Sequence, residues 1–264
     1  MLKYLSVVIL LFVTPCYATD FSADGNTQLY LQMESVGNEI AAVGTDLTEN
    51  GTIPRDADAK QGSWSRDWED DGEDDFLNHA DGNETDISGA NQSISVGCWY
   101  KRESETGNSH YLIVKWDSAS EKQYLLSMIN NAGADDPAAF TLSSTSDDNT
   151  SAIGGTTTPS GSWTHIVGVY NDTDIRIYVN GSLDTNGANN PKAYVAGIAD
   201  AASDFRIGTQ SDNLDNWADG LIDEVFVMDR ALSAAEVSEI FTNGFEGSGV
   251  TGGGGSQILF TELE

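Results

Sequence analysis

Through the middle of the chain, apolar and polar residues alternate in short runs that are cut by clusters of Gly, Asn, Asp, Ser and Thr. A period of two puts one side of each run against a core and the other toward solvent, which predicts strands. The clearest runs are residues 93–100, 111–116, 123–129, 163–170, 175–179, 204–207 and 220–228, with 28–33 as an opening strand. Turn signals recur at intervals of about ten residues, the spacing of sandwiches and barrels. In the run around Cys98, alternation places Ile94, Val96, Cys98 and Tyr100 on one face. Val169-Tyr170-Asn171-Asp172-Thr173-Asp174-Ile175 is the strongest hairpin signal, and Asn180-Gly181 predicts the next tight turn. The pattern is all-β.

One helix interrupts it. Ser233 and Glu236 have the spacing of a capping box, and Leu232 and Val237 that of a hydrophobic staple. The helix is expected over 234–241, stopping at Asn243-Gly244 and closing one end of the sandwich. Beyond Phe245 the chain turns Gly-rich. Residues 246–264 read as a flexible linker and a short alternating tail, either a frayed end or an edge strand for self-association or a partner.

The N-terminus carries a different signal. Lys3, the apolar run 5–13 and Cys16-Tyr17-Ala18 form the three regions of a signal peptide over residues 1–18, cleaved after Ala18. That run is too short to span a bilayer. The expectation is a secreted, extracellular protein whose single domain covers 19–245. Cys98 is then the one remaining thiol, so no internal disulfide forms and stability falls to packing and metal. A formal net charge of -30, from 42 Asp and Glu against 12 Lys and Arg, excludes nucleic acid and anionic membranes as partners. The same charge draws divalent cations held by oxygen ligands.

The run from Trp163 to Gly181, Trp-Thr-His-Ile-Val-Gly-Val-Tyr through Ile-Tyr-Val-Asn-Gly, resembles the hairpin of laminin-G-like and pentraxin-like jelly rolls. Phe205-Arg206-Ile207-Gly208 and Gly220-Leu221-Ile222-Asp223-Glu224-Val225 through Arg230-Ala231-Leu232-Ser233 are similar to the closing segment of that family. Asp70-Asp71-Gly72-Glu73-Asp74-Asp75-Phe76-Leu77 and the strand 93–101 resemble its earlier strands. The resemblance covers about residues 65–245 and departs from the family over 36–66, where the usual opening loop motif is missing. It implies a concanavalin A-like jelly-roll sandwich of two antiparallel sheets, about six or seven strands each.

The resemblance also implies a structural calcium ion, with Asp223 as the leading ligand and Gly72, Asp71, Asp75 and Glu34 as partners. Some relatives hydrolyse glycans with two carboxylates, but the Glu-x-Asp-x-x-Glu string of the glucanase branch is missing, and Glu103 and Glu105 lie in a turn. His79, His110 and His165 are dispersed, with no motif for nucleophilic catalysis. The expectation is therefore a non-enzyme. Sugars are held by aromatic faces beside Asp and Asn. Trp217, with Asp215 and Asn213 on the same loop, and Trp64 fit that description. The leading function is recognition of carbohydrate or of an extracellular protein. A structural or adhesive role at a cell surface or virus particle comes second, and a glycan hydrolase or lyase third.

Overall fold

The structure is a computed structural model that describes residues 18–69, 75–82, 84–103, 108–117, 121–130, 136–145, 148–185, 189–210 and 216–247. The leader and the Gly-rich tail lie outside the described residues apart from Ala18, Glu246 and Gly247. In chain order the strands are β1 (Thr27–Leu31), β2 (Thr48–Asn50), β3 (Arg55–Asp56), β4 (Ser65–Trp68), β5 (Phe76–His79) and β6 (Ile94–Arg102). Next come β7 (His110–Trp116), β8 (Lys122–Met128), β9 (Ala138–Ser143), β10 (Asn149–Ile153) and β11 (Thr164–Tyr170). The remainder are β12 (Asp174–Val179), β13 (Ser182–Leu183), β14 (Lys192–Ala193), β15 (Phe205–Ile207) and β16 (Gly220–Met228), followed by helix α1 (Ala234–Asn243). No helix among the described residues is long and apolar enough to cross a membrane.

The strands form two antiparallel sheets, one of nine and one of seven strands, so the first is larger than the pattern suggested. The added strands are short or polar. In β4, Ser-Arg-Asp-Trp shows no apolar alternation, yet Arg66 is fully buried and pairs directly with Glu49, with Glu39 at 3.8 Å. The segment 36–66, unassigned by resemblance, supplies β2 and β3 at the sheet edges and sends Leu47 and Ile53 into the core.

The inner faces of both sheets meet in one core. Ile94, Val96, Cys98 and Tyr100 of β6 all point into it, as their alternation requires. Ile175 and Ile177 of β12 lie alongside them in the same sheet, and Phe140 of β9 and Phe205 of β15 face them from the other. Asn171 Oδ1 shapes the β11–β12 turn by accepting from the amides of Thr173 (3.1 Å) and Asp174 (2.9 Å).

The outer face of the nine-stranded sheet is apolar as well. Val167, Val169, Tyr178, Phe226 and Met228, the alternates of the core residues, are buried with Val237 and Ile240 of α1. The helix therefore covers a sheet face and does not close an end. The physical reason is that five large side chains there would otherwise stand in water, at roughly 1.5–3 kcal/mol each. Its capping box is complete: the Ser233 hydroxyl accepts from the Glu236 amide, and the Glu236 carboxylate accepts from the Ser233 amide.

Candidate functional site

At one end of the sandwich β16 begins between β4 and β6. Leu221 pairs with Asp67 on one side and Lys101 on the other, and Gly220 pairs with Trp68 and Arg102. This double pairing fixes what meets there. Trp68 and Tyr100 face the core, so their neighbours Asp67 and Lys101 face outward. Carboxylate oxygens of Asp67, Glu69 and Glu103 come within 4.8 Å of one another. One Asp67 carboxylate oxygen, Oδ1, is buried with no hydrogen-bond partner. Burial pushes the Asp67 carboxyl up to about 7, helped by the charges of Glu103, Glu69, Asp56 and Asp219. Glu103 moves the same way, by burial and then by Glu69 and Asp219.

Beside this group runs a second polar row. Lys101 Nζ donates to Asp58 Oδ2 at 2.5 Å, and the Trp163 indole N–H donates to Asp58 Oδ1 at 2.9 Å. These two bonds hold the Asp58 carboxyl below its usual value. Behind the rows the end of the sandwich is tightly braced. Arg102 pairs directly with buried Asp136 and donates to the Thr158 carbonyl at 2.9 Å. The Tyr100 hydroxyl donates to the Asp219 carbonyl at 2.8 Å, with His110 Nδ1 at 2.9 Å.

Asp223 lies three residues further along β16, buried under the turn 60–64. Its Oδ2 accepts from the Lys60 and Gln61 amides (2.7 and 3.0 Å) and its Oδ1 from the Glu224 amide (2.9 Å). The same turn binds Glu34, whose Oε1 accepts from the amides of Ser63 (2.7 Å) and Trp64 (3.0 Å). Glu224 sits at a bulge with φ 52°, and its carboxylate accepts the Tyr30 hydroxyl. Burial raises the carboxyls of both Asp223 and Glu224, and each is raised further by neighbouring acids.

Of the residues expected to share one calcium ion, the three described ones sit on different segments of the chain. Asp223 and Glu34 flank one turn, on the nine-stranded sheet. Asp75 opens β5 in the other sheet, where its Oδ1 accepts from the Thr52 amide at 2.7 Å. Gly72 and Asp71 lie outside the described residues.

The aromatic candidates are divided too. Trp217 is half-buried in the loop leading into β16, which is tied down by the Ala218 amide on the Gly208 carbonyl (2.8 Å) and the Tyr111 amide on the Asn216 carbonyl (3.0 Å), while Asn213 and Asp215 lie outside the described residues. Half-buried Trp64, with the Arg55 guanidinium 4.5 Å above its ring, stands at the opposite end of β4. The sequence pattern marks none of Asp67, Glu69 and Asp58 as site residues and puts Trp163 in a strand, while Glu103, expected in a turn, follows the end of β6 at Arg102. The register of β4 and β6 on β16 brings Asp67, Glu69 and Glu103 together, and hydrogen bonds from Lys101 and Trp163 bring in Asp58; no local spacing encodes either.

A laminin G family model, described as the concanavalin A-like lectin/glucanases superfamily, matches residues 71–238. The chain belongs to this superfamily. Solved structures carry the same fold at low identity. One is of a botulinum neurotoxin type C, in work describing its cell entry as dependent on interaction with two ganglioside molecules. It is 14% identical with a TM-score of 0.61, over 82% of this chain and 51% of that one. Another is domain 4 of an extracellular arabinanase from Geobacillus stearothermophilus in complex with arabinotriose. It is 20% identical with a TM-score of 0.59, over 82% of this chain and 100% of that one. A third is the botulinum neurotoxin serotype D binding domain, 13% identical with a TM-score of 0.59, over 82% of this chain and 50% of that one. This superfamily member spans about half the length of the neurotoxin chains. No curated protein sequence matches it significantly.

Proposed function

We infer that the chain is a secreted, non-catalytic module that binds carbohydrate outside the cell, with calcium supporting the fold. The observation that carries this reading is the braced end of the sandwich. Trp163 bonded to Asp58, which Lys101 also holds, the carboxylates of Asp67, Glu69 and Glu103, and half-buried Trp217 in the loop before β16 combine an aromatic surface with fixed hydrogen-bonding groups. The gangliosides and arabinotriose of the structural neighbours support a glycan ligand. The test is titration with neutral oligosaccharides, arabinotriose first, comparing the protein with Trp217→Ala and Asp58→Asn. Binding unchanged in both variants sinks the assignment to this end.

Calcium has two candidate places. Asp223 already accepts three backbone N–H bonds, whereas Asp67 keeps a buried oxygen with no donor. The Asp67, Glu69 and Glu103 group therefore gains more from a cation. Thermal unfolding with calcium and with chelator is expected to show a shift that Asp67→Asn removes and Asp223→Ala keeps. The reverse pattern moves the ion to the Glu34 turn. Secretion is checked by N-terminal sequencing of exported protein, which should begin after Ala18.

One observation favours a second reading. Asp67, raised to about 7, has acidic neighbours within 4.8 Å, and retaining glycosidases place two carboxyls about 5–5.5 Å apart. Polysaccharide hydrolysis abolished by Asp67→Asn would establish that reading over the binding module.

A further inference from the structure

Away from that end, where β16 finishes, the surface folds into an open cleft of about 250 Å³. Gln28 of β1, Asp229 just past β16, and Gln92 just before β6 form one side. Glu84, Asp86, Ile87 and Ser88 form the other. The nine residues of β16 separate this cleft from the Asp67 group.

The cleft is built, not incidental. The Thr45 amide and hydroxyl both donate to the Glu84 carboxylate, the hydroxyl at 3.1 Å. Gly44, at φ 91°, permits this approach, because a Cβ there would stand 2.8 Å from Glu84 Oε1. Asp86 Oδ1 accepts from the Gln123 side-chain Nε2 at 2.8 Å, and the Tyr124 hydroxyl donates to the Thr85 carbonyl at 2.9 Å. Gly89 exchanges both backbone bonds with Ile198 (2.8 and 3.1 Å). Asp229 is exposed, and its amide donates to the Asn26 carbonyl at 3.0 Å.

The lining has a one-sided chemistry. Three carboxylates, two carboxamides and a hydroxyl face one apolar side chain, with no Lys, Arg or His among them. A carboxylate only accepts, so the cleft favours a ligand rich in donors. Within a chain of net charge -30 it favours a cationic one and rejects acidic sugars. A single metal ion does not fit, because these carboxylates do not gather within 4.8 Å as Asp67, Glu69 and Glu103 do. The volume lies just under the roughly 300–1,000 Å³ of drug-sized pockets, which suits one sugar ring. No aromatic face lines it, so recognition runs through hydrogen bonds and charge.

We propose that this cleft is a second binding site, for a small hydroxylated amine of amino-sugar type, its ammonium group facing the Asp86, Glu84 and Asp229 carboxylates. Calorimetric titration of the full protein with glucosamine, at neutral pH and low salt, tests it. Glucosamine binds saturably, and glucose, lacking the ammonium, binds about tenfold more weakly. Asp229→Asn, at an exposed side chain whose loss spares the fold, weakens glucosamine about tenfold, as does Asp86→Asn. Trp217→Ala leaves glucosamine affinity unchanged, and Asp229→Asn leaves arabinotriose binding unchanged, so failure at one end is distinguishable from failure at the other. Absence of saturable glucosamine binding, equal affinity for glucose, or an unaltered Asp229→Asn variant overturns the proposal.

Discussion

Replacing Asp67 by Asn should stabilise the protein at alkaline pH and leave it nearly unchanged in acid. The Asp67 carboxyl is carried from its ordinary 3.8 to about 7 by burial and by the charges of Glu103, Glu69, Asp56 and Asp219. A raised carboxyl means the folded state holds its proton more tightly than the unfolded chain. Stability from this group is therefore complete below pH 3.8 and declines as pH rises toward 7. Felt in full, the effect is about 4 kcal/mol. Asp67 is only half-buried and its nearest acids, Glu69 and Glu103, are exposed, so screening leaves an expected ~1–2 kcal/mol. In a domain of this size ~1 kcal/mol moves Tm by about 2–4 °C. Calcium-free scanning calorimetry at pH 8 should show the Asn variant melting about 3–6 °C above the parent, and at pH 4 the two should coincide. Asp223 and Glu224 titrate in the same sense, but they are common to both proteins and cancel in the difference. A gap that is equal at both pH values, or a variant that melts lower at pH 8, refutes the argument.

Three further substitutions probe the packing. Gly97→Ala would set a Cβ 2.5 Å from the Phe226 ring and 3.0 Å from the Ile166 carbonyl, and urea unfolding should show a loss of about 1–3 kcal/mol. Arg102→Met strands the buried Asp136 carboxylate, a cost of about 3–5 kcal/mol by the same assay. His165 is buried between Trp99 and Phe241 with neither ring nitrogen hydrogen-bonded, and burial, then the Lys60 charge, pushes it down to about 3. A depressed imidazole withdraws stability as pH falls from its ordinary 6.5 toward about 3, so His165→Phe should raise Tm more at pH 5 than at pH 8.

How much of this was legible in the sequence depends on the range of the interactions. The strands 94–102, 164–170, 174–179 and 220–228 and the capped helix are specified by neighbours in sequence, through alternation, turn residues and a Ser-x-x-Glu cap. Each appears within a few residues of its expected place. Polar β4 was illegible because its burial depends on Glu49 and Glu39 neutralising Arg66 from other segments. Placement of the helix was missed for a related reason. The apolar outer face it covers is visible only when Val167, Tyr178 and Phe226, from three strands, are seen side by side. The carboxylate group at the open end is the extreme case, since Asp67 and Glu103 are neighbours only through their shared partner β16.

That shared partner has a consequence for how the molecule comes into being. β16 is the last strand among the described residues, yet it lies inside the nine-stranded sheet, bonded to β6 along one edge and to β4 and β1 along the other. Until the ribosome has delivered it, β1 has no strand partner and the β3–β4 pair is not joined to β6, so the slow pairing of distant segments cannot finish. Folding should therefore be largely post-translational. A chain stopped before residue 220 should remain protease-sensitive along its length, whatever local hairpins it forms, and the full-length protein should fold slowly for its size.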